Sequence, residues 1–181
     1  IKVMDVNLSN KIAAGEVIEK LMNIVKELVE NSLDAKSTSI KIELVESGLT
    51  SIKVTDNGCG MERNDATNCL LRHATSKLYD EDDLFSIDTL GFRGEALPSI
   101  ASVSKMNIKT CKDSIGTEVL VQGGKIISVN DCLIDSGTII TVSDIFYNTP
   151  ARLKYLKSLY SELANIIDYV NKMALAYPNV R

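Results

Sequence analysis

The amino-acid sequence predicts an α+β fold, a two-layer α/β sandwich in which a mixed, mainly antiparallel sheet is covered on one face by helices. Residues 39–46 and 50–56 alternate apolar and polar side chains on either side of a Ser47-Gly48 turn, a pattern typical of a β-hairpin. Later strand patterns also follow one another along the chain, and the helical patterns are grouped instead of alternating with them. Grouped helices and neighbouring strands favour the α+β class.

The spacing of apolar residues defines the remaining elements. Helices are predicted at 7–24, from 24 to a stop near 34–36, at 65–74, at 95–104, and at 151–176 in one or two pieces. Further strands are predicted at 105–111, 117–122, 125–129 and 138–145. Residues 75–94 are acidic and punctuated by glycine, which indicates a long loop with a short helix near 82–86. Long loops inside compact domains are usually functional or disordered.

Length and composition are those of one soluble globular domain. The chain has 181 residues, of which 45% are hydrophobic and 24% charged. No apolar run approaches the ~20 residues of a membrane span, and the start of the chain lacks the pattern of a secretory signal. A net charge of −4 argues against a protein that mainly coats nucleic acid. The basic residues Arg152, Lys154 and Lys157 form either a local basic patch or a solvated helix face.

The cysteines and the histidine exclude several kinds of site. Cys59, Cys69, Cys111 and Cys132 are widely spaced and form no CxxC pair, so reduced thiols in a cytosolic protein are expected instead of a zinc site. His73 is the single histidine, which removes histidine-based metal clusters and most Ser-His or Cys-His nucleophiles. We expect His73 to be an ordinary helix or loop residue.

The stretch IVKELVENSLDA, residues 24–35, predicts an amphipathic helix with polar groups at the edge of its apolar stripe. The apolar arc consists of Leu21, Ile24, Val25, Leu28 and Val29. Glu27 and Asn31 are four residues apart, so both are expected on one face at the rim of the core. Lys26 and Glu30 fall outside the arc, and Glu30 is expected to face solvent.

Two glycine-containing motifs follow. DNGCGM, residues 56–61, comes directly after a strand, so Asp56 is either a fixed acceptor for a ligand or part of an ordinary glycine-rich turn. LGFRGEAL, residues 90–97, precedes a helix whose first amides form an anion site, although an ordinary glycine cap explains it too. Neither GxGxxG nor GxxxxGK[ST] is present.

Together these motifs supply what a magnesium nucleotide needs. Asp56 offers an acceptor for a base amine, the amides of residues 91–97 suit phosphates, and Asn31 offers an oxygen to Mg²⁺, which keeps several waters. Glu27 would then be a general base near a water that attacks the terminal phosphate, a task that suits a partly buried carboxylate.

Five motifs in this order resemble the N-terminal ATPase domain of the MutL family of DNA mismatch repair proteins: ELVENSLDA, DNGCGM, RHATSK, GFRGEAL and FYNTPAR. The asparagine motif ELVENSLDA, the DNG motif and the presence of a glycine loop, here within GFRGEAL, are general features of the wider GHKL group. This group includes type II topoisomerases, Hsp90 chaperones and histidine kinases. The last three are more specific to MutL. The resemblance extends from Asn10 to the terminal helix and implies the GHKL (Bergerat) ATP-binding fold.

The resemblance also implies roles for individual residues. Glu27 corresponds to the family's general base and Asn31 to its magnesium ligand. Asp56 corresponds to the carboxylate that reads adenine, with Gly58 and Gly60 allowing close approach of the nucleotide. The remaining implied ATP contacts are Thr75, Ser76 and Lys77 of the lid region, Arg93, Gly94, Glu95, Ala96 and Leu97 of the phosphate cradle, and Thr138 near the adenine.

The resemblance implies a Mg²⁺-dependent ATPase that hydrolyses ATP slowly and acts as a conformational and dimerisation switch. Residues 1–181 would be the N-terminal ATPase domain alone, without the second domain and the C-terminal dimerisation domain of the family. Expected partners are a second N-terminal domain, a MutS-type mismatch-recognition protein, a downstream nuclease or helicase, and DNA, bound weakly by this fragment. The location would be cytoplasmic and nucleoid-associated in a bacterium, or nuclear in a eukaryote. The alternatives are a GHKL ATPase of chaperone, topoisomerase or kinase type, and a nucleotide-binding module without hydrolysis.

Overall fold

The computed structural model describes residues 18–77, 89–91, 93–113, 115–156 and 158–181. The helix predicted at 7–24 therefore lies largely outside the described residues, and the short helix predicted near 82–86 lies wholly outside them. Among the described residues, no helix is both long enough and apolar enough to cross a membrane.

A six-stranded sheet forms one layer of the fold. Its strands are β1 (Ile40–Val45), β2 (Ser51–Asp56), β3 (Lys105–Cys111), β4 (Gly116–Gln122), β5 (Lys125–Cys132) and β6 (Gly137–Ser143). They lie in the order β1-β2-β6-β3-β4-β5, and each of these pairings is antiparallel. The predicted α+β class and the mainly antiparallel sheet are confirmed. The predicted hairpin is formed by β1 and β2, which are joined through a 3₁₀ turn at Glu46–Gly48.

Helices form the second layer. They are α1 (Leu21–Asp34), α2 (Arg63–Asn68), α3 (Ala96–Ser102), α4 (Pro150–Leu153) and α5 (Leu159–Ala176). The predicted helix at 151–176 consists of two pieces, and Ser158 caps the second by accepting a hydrogen bond from the amide of Ser161. The prediction of a helix through 74 was wrong beyond Asn68. His73 has a φ of 62°, and its amide donates to Gly94 O, so a tertiary contact replaces the next helical turn.

The inner face of the sheet carries three rows of facing side chains. Two rows are apolar: Ile52, Val142, Met106 and Val121 form one, and Val54, Ile140, Ile108 and Val119 form the other. The third row is polar and consists of Asp56, Thr138, Thr110 and Thr117. The core therefore ends at one edge in a line of oxygen atoms. The opposite face of the sheet is more polar and partly exposed, with Lys53, Thr55, Lys109 and Glu118.

Helix α1 packs on β2 through the predicted apolar arc, whose five members are all buried. Its last turn closes with Lys36 at a φ of 61°, where the Lys36 amide donates to Leu33 O and the Ser37 amide donates to Ser32 O. This Schellman-type ending satisfies the last carbonyl groups of the helix. It also turns the chain so that Ser37 lies beside the polar row.

The expectation that Glu30 faces solvent was wrong. Glu30 is only 8% exposed, because α5 packs against α1 and covers this side of the helix. A helical wheel of α1 alone contains no information about a second helix that follows more than a hundred residues later.

The segment FYNTPAR, residues 146–152, connects the chain just before α1 with the C-terminal end of α3. Phe146 is buried, and its amide donates to Val103 O at 2.7 Å. The Asn148 amide group donates to Ser102 O at 2.9 Å, and Arg152 donates to Ile18 O at 3.1 Å. The guanidinium of Arg152 also lies over the Phe146 ring, 5.9 Å from its centroid. The segment therefore has a structural role in placing the start of α1.

Glu162 of α5 holds the start of α1. Glu162 is 1% exposed, and its carboxylate accepts a hydrogen bond of 3.2 Å from the amide of Leu21. We expect Glu162→Ala to lower the free energy of unfolding by about 2–4 kcal/mol, because a buried charge-assisted hydrogen bond at a helix N-terminus and its packing are both lost. Urea denaturation measures this loss. Asp168→Asn, an exposed change on the same helix, is the control; equal stabilities of Glu162→Ala and this control would contradict the capping role.

Candidate functional site

Asp56 lies at the end of β2, at the start of the polar row, and its carboxylate is held from three sides. Ser32 Oγ lies 2.9 Å from Oδ2 and 3.0 Å from Leu28 O, so its single proton is shared between these two acceptors, and Ser37 Oγ donates to Oδ1 at 3.3 Å. The amide of Gly58 donates to Oδ1 at 2.9 Å. These donors come from α1, from the turn after it and from the loop at residues 56–61, here called the DNG loop. The carboxylate therefore has one fixed orientation at the rim of the core.

Two threonine hydroxyls continue the polar row. Thr138 Oγ1 lies 2.9 Å from Thr110 Oγ1, which also accepts a hydrogen bond of 2.9 Å from the amide of Met61. Thr110 was not among the predicted site residues. The strand pattern could have identified it. Thr110 lies two and four residues after Ile108 and Met106 on β3, so it shares their face and places a hydroxyl group on the core side of the sheet.

The glycines of the DNG loop fit tightly against protein atoms. An added Cβ at Gly58 would lie 2.7 Å from Ala35 Cβ, and one at Gly60 would lie 2.0 Å from Cys111 O. Gly60 also has a φ of 64°, which disfavours other residues. The loop therefore needs glycine to pass between the end of α1 and the end of β3, whatever it binds.

A charged cluster lies on the last turn of α1. The ammonium of Lys77 donates to Asn31 Oδ1 at 3.1 Å and to Asp34 Oδ2 at 2.5 Å. Gly91 borders the same cluster, since a Cβ added there would lie 3.4 Å from Lys77 Nζ and 3.7 Å from Asn31 Oδ1. The structure thus brings together three predicted residues from three motifs, with Asn31 Oδ1 already bound to a cation.

Asp34 was missed by the sequence reasoning. Its Oδ1 accepts from the amide of Leu90 at 3.0 Å and its Oδ2 from the amide of Gly91 at 3.1 Å, in addition to Lys77. Burial alone would raise the pKa of Asp34, but the hydrogen bonds from Lys77, Leu90 and Gly91 outweigh it and lower the pKa. The available signal was spacing, because Asp34 is three residues after Asn31 and shares its helix face.

RHATSK and GFRGEAL pack against each other beside this cluster. The His73 amide donates to Gly94 O at 3.1 Å, and His73 Nδ1 lies 3.4 Å from Glu95 Oε1. Gly94 has a φ of 61°, and an added Cβ there would lie 2.5 Å from Ala74 O. His73, which we expected to be an ordinary helix or loop residue, lies in a loop, and its backbone and ring both contact the predicted phosphate cradle.

The other predicted phosphate contacts flank the same region. The Thr75 hydroxyl accepts from the amide of Lys77 at 3.1 Å, whereas Ser76 and Arg93 are exposed. Ala96 and Leu97 form the first turn of α3, where backbone amides have no partner within the helix.

Glu27 lies one turn before Asn31 on α1 and contacts a different lysine. Lys26 Nζ is 3.3 Å from Glu27 Oε1 and 2.9 Å from Glu30 Oε2. Burial disfavours the charged form of Lys26, but its hydrogen bonds and the attraction of the two carboxylates outweigh burial and raise its pKa. Burial raises the pKa of Glu30 despite the neighbouring ammonium. Glu27 itself is 23% exposed at its side chain, so solvent reaches it.

Asp34→Asn tests the charged cluster. Since the folded-state pKa of Asp34 is lowered, its charge contributes stability above the unfolded pKa, and this contribution is lost as pH falls through the folded value. We expect the variant to be about 1–3 kcal/mol less stable at pH 7, with the difference shrinking below about pH 4. Urea denaturation between pH 3 and 7 measures it, with the exposed Asp131→Asn as control. A difference that stays constant down to pH 3 would show that charge is not the cause.

The sequence of this chain is similar to that of known ATPases and DNA mismatch repair proteins. The model of the histidine kinase-, DNA gyrase B- and HSP90-like ATPase family matches residues 19–146. The chain is 56% identical over 181 residues to the DNA mismatch repair protein MutL of a Geobacillus species, covering 99% of this chain and 29% of that protein. It is 58% identical over 175 residues to MutL of Bacillus licheniformis, covering 96% and 28%. The chain thus spans less than a third of the length of these relatives.

Solved structures agree with these relatives. The ATPase domain of Aquifex aeolicus MutL, complexed with ADP, superposes with a TM-score of 0.75 at 33% identity, covering 91% of this chain and 58% of that one. The N-terminal domain of a DNA repair protein superposes with a TM-score of 0.80 at 30% identity, covering 94% and 50%. The resemblance to MutL ATPase domains that the five motifs predict is confirmed. With most of its length matched by one family model, the chain belongs to the histidine kinase-, DNA gyrase B- and HSP90-like ATPase family.

Proposed function

We propose that this chain is the N-terminal ATPase domain of a longer MutL-type DNA mismatch repair protein, and that it binds and slowly hydrolyses Mg²⁺-ATP. One observation carries the proposal. The last two turns of α1 present Ser32 to the fixed carboxylate of Asp56 and present Asn31 to a cation, the ammonium of Lys77. A single helix thus connects an acceptor suited to a base with an oxygen suited to a phosphate-bound metal.

Asp56 would accept a hydrogen bond from the exocyclic amine of adenine. Its three donors fix the carboxylate in place, so little entropy is lost when a base binds. Thr138 and its partner Thr110 add hydroxyl groups in the same row of the sheet. The ADP complex of the similar Aquifex domain supports an adenine nucleotide as the ligand.

The residues of the charged cluster fit Mg²⁺. The metal prefers oxygen ligands, takes few of them from protein and retains waters and substrate phosphates. Asn31 Oδ1 already binds the ammonium of Lys77, so it is an oxygen that attracts a cation in this position. Asn31 would hold the ion, and bound Mg²⁺ would neutralise negative charge on the phosphates. Lys77, with Thr75 and Ser76 beside it, would then be available to the phosphates.

The phosphate cradle would come from the segment that packs on RHATSK. It comprises Arg93, Gly94, Glu95, Ala96 and Leu97. The backbone of Gly94 is fixed by His73, and α3 begins at Ala96, so the cradle is anchored at both ends. Amides in a first helical turn favour anions.

Glu27 would act as the general base. Water would attack the terminal phosphorus, the bond to the ADP oxygen would break, and Glu27 would take the proton of the water. The position of Glu27 supports this role, because it lies one turn before Asn31 on the same helix and its side chain is reached by solvent.

ATP binding would act as a switch in mismatch repair. We infer ATP-dependent self-association of N-terminal domains, signalling to a MutS-type protein and to a downstream nuclease or helicase, and weak DNA contact through this fragment alone. Order gained around phosphates is a common basis of such switches. Since the relatives named above are bacterial, the protein would work in the cytoplasm at the nucleoid.

Hydrolysis and binding should separate by residue. Glu27→Ala should retain ATP binding and lose about 100-fold or more in kcat, since a general base contributes about 10²–10⁴-fold. Asp56→Asn should weaken binding, because an amide nitrogen replaces one of two acceptor oxygens. Fluorescent nucleotide binding and phosphate release on the full-length protein measure both, with the exposed Glu62→Ala as control. Normal hydrolysis by Glu27→Ala would refute the general-base role.

The switch predicts a change in protease sensitivity. A nonhydrolysable ATP analogue with Mg²⁺ should slow cleavage at 75–77, 89–91 and 93–97, because these segments contact each other and the proposed phosphate site. Limited proteolysis followed by mass spectrometry identifies the cut sites. Asp56→Asn should show the nucleotide-free pattern at the same analogue concentration. Identical cleavage with and without the analogue in the unsubstituted protein would count against the switch.

A further inference from the structure

Lys26 joins two carboxylates on α1. Its ammonium lies 2.9 Å from Glu30 Oε2 and 3.3 Å from Glu27 Oε1. Glu30 is four residues after Lys26 and therefore stands on the same side of the helix, whereas Glu27 is its chain neighbour. The lysine thus connects a buried acid with the proposed general base.

The buried end of this connection is fixed by α5. Glu30 is 8% exposed, and the hydroxyl of Tyr169 on α5 donates to Lys26 O at 3.4 Å. Burial, together with the nearby charges of Glu30 and Glu27, raises the pKa of Tyr169, so its hydroxyl remains a donor. Lys26 is therefore restrained at its backbone by Tyr169 and at its ammonium by Glu30.

An ordinary surface ion pair would look different. The i,i+4 pair of Lys172 and Asp168 on α5 has side chains that are 71% and 65% exposed. Such pairs contribute little because water and salt screen them and both side chains lose freedom. In the Lys26 pair, the side chain of the acid is only 11% exposed. The Lys26 side chain is 40% exposed, but its contact with the buried acid favours a position from which the ammonium also reaches Glu27.

We propose that Lys26, anchored by Glu30, is a positioning residue for Glu27 in ATP hydrolysis. Lys26 contacts Oε1, which restricts rotation of the Glu27 carboxylate and leaves Oε2 to accept the proton of the attacking water. The proposal rests on the general-base role of Glu27 given above. It also assigns a function to Glu30, which the helical pattern of α1 predicted to face solvent.

The test compares kcat with nucleotide affinity in full-length variants. Lys26→Met should lower kcat by about 10-fold to 100-fold, since loss of orientation at a reacting group costs this much. The Kd for a fluorescent ATP analogue should stay within about 2-fold, because the ion pairs of Lys26 within the described part of the chain are with Glu27 and Glu30, and neither is a proposed nucleotide contact. Lys26→Arg should restore most of kcat, and Glu30→Gln should lower kcat less than Lys26→Met does. Lys172→Met removes an equivalent lysine from an exposed pair and is the matched control.

The outcomes separate the two proposals. If Glu27→Ala hydrolyses ATP normally, the general-base role and the positioning role both fall. If Glu27→Ala is inactive but Lys26→Met has an unchanged or higher kcat, the positioning role alone is refuted. A parallel loss of affinity and kcat, or a loss that Lys26→Arg does not restore, also overturns it. Lys26→Gln replaces Lys26→Met if the latter does not fold. In the Glu27→Ala background, Lys26→Met should have no further effect on hydrolysis.

Discussion

Burial of Ile24, Val25 and Leu28 of α1 against the inner face of the sheet fixes where the polar end of the helix lies. The apolar rows of the sheet stop at the polar row, so the helix reaches this row with its last two turns. Ser32 then meets Asp56, while Asn31 and Asp34 meet Lys77. A shift of α1 by one residue would put Asn31 or Leu33 in the place of Ser32, and Leu33 or Ala35 in the place of Asp34, which breaks both sets of contacts. The contacts of Glu162 and Arg152 at the other end of the helix therefore matter for the site, although they lie far along the chain from it.

The two ends of the site differ in the charge of the groups that contact their oxygen atoms. At one end, Asp56 is held by neutral donors. At the other, Asn31 and Asp34 hold a lysine ammonium, which has the charge sign of the metal that the family relationship implies. A divalent ion and a lysine cannot share one amide oxygen without repulsion, so Mg²⁺ bound by Asn31, as proposed above, would move Lys77 away from this oxygen. Nucleotide binding and rearrangement of RHATSK would thereby be coupled through Asn31 Oδ1.

Sequence periodicity was sufficient where one element decides its own environment. The apolar arc of α1, the β1-β2 hairpin and the polar position of Asp56 follow from local spacing, and the structure has each of them. Glu30 was misplaced because α5, far along the chain, covers it. Asp34 was missed because its partners Leu90 and Gly91 come from a loop that has no periodic pattern. The pairing of Thr110 with Thr138 needs the strand order, in which β3 lies beside β6. The roles of Glu27 and Asn31 came from family motifs, not from the helix pattern.

The most direct test of this account is a crystal structure of the domain with Mg²⁺ and a nonhydrolysable ATP analogue. The account predicts that Asn31 Oδ1 binds Mg²⁺ in place of Lys77, while Asp56 accepts a hydrogen bond from the adenine amine. A structure in which the nucleotide is bound but Asn31 still accepts from Lys77, or in which the adenine lies away from Asp56, would contradict it.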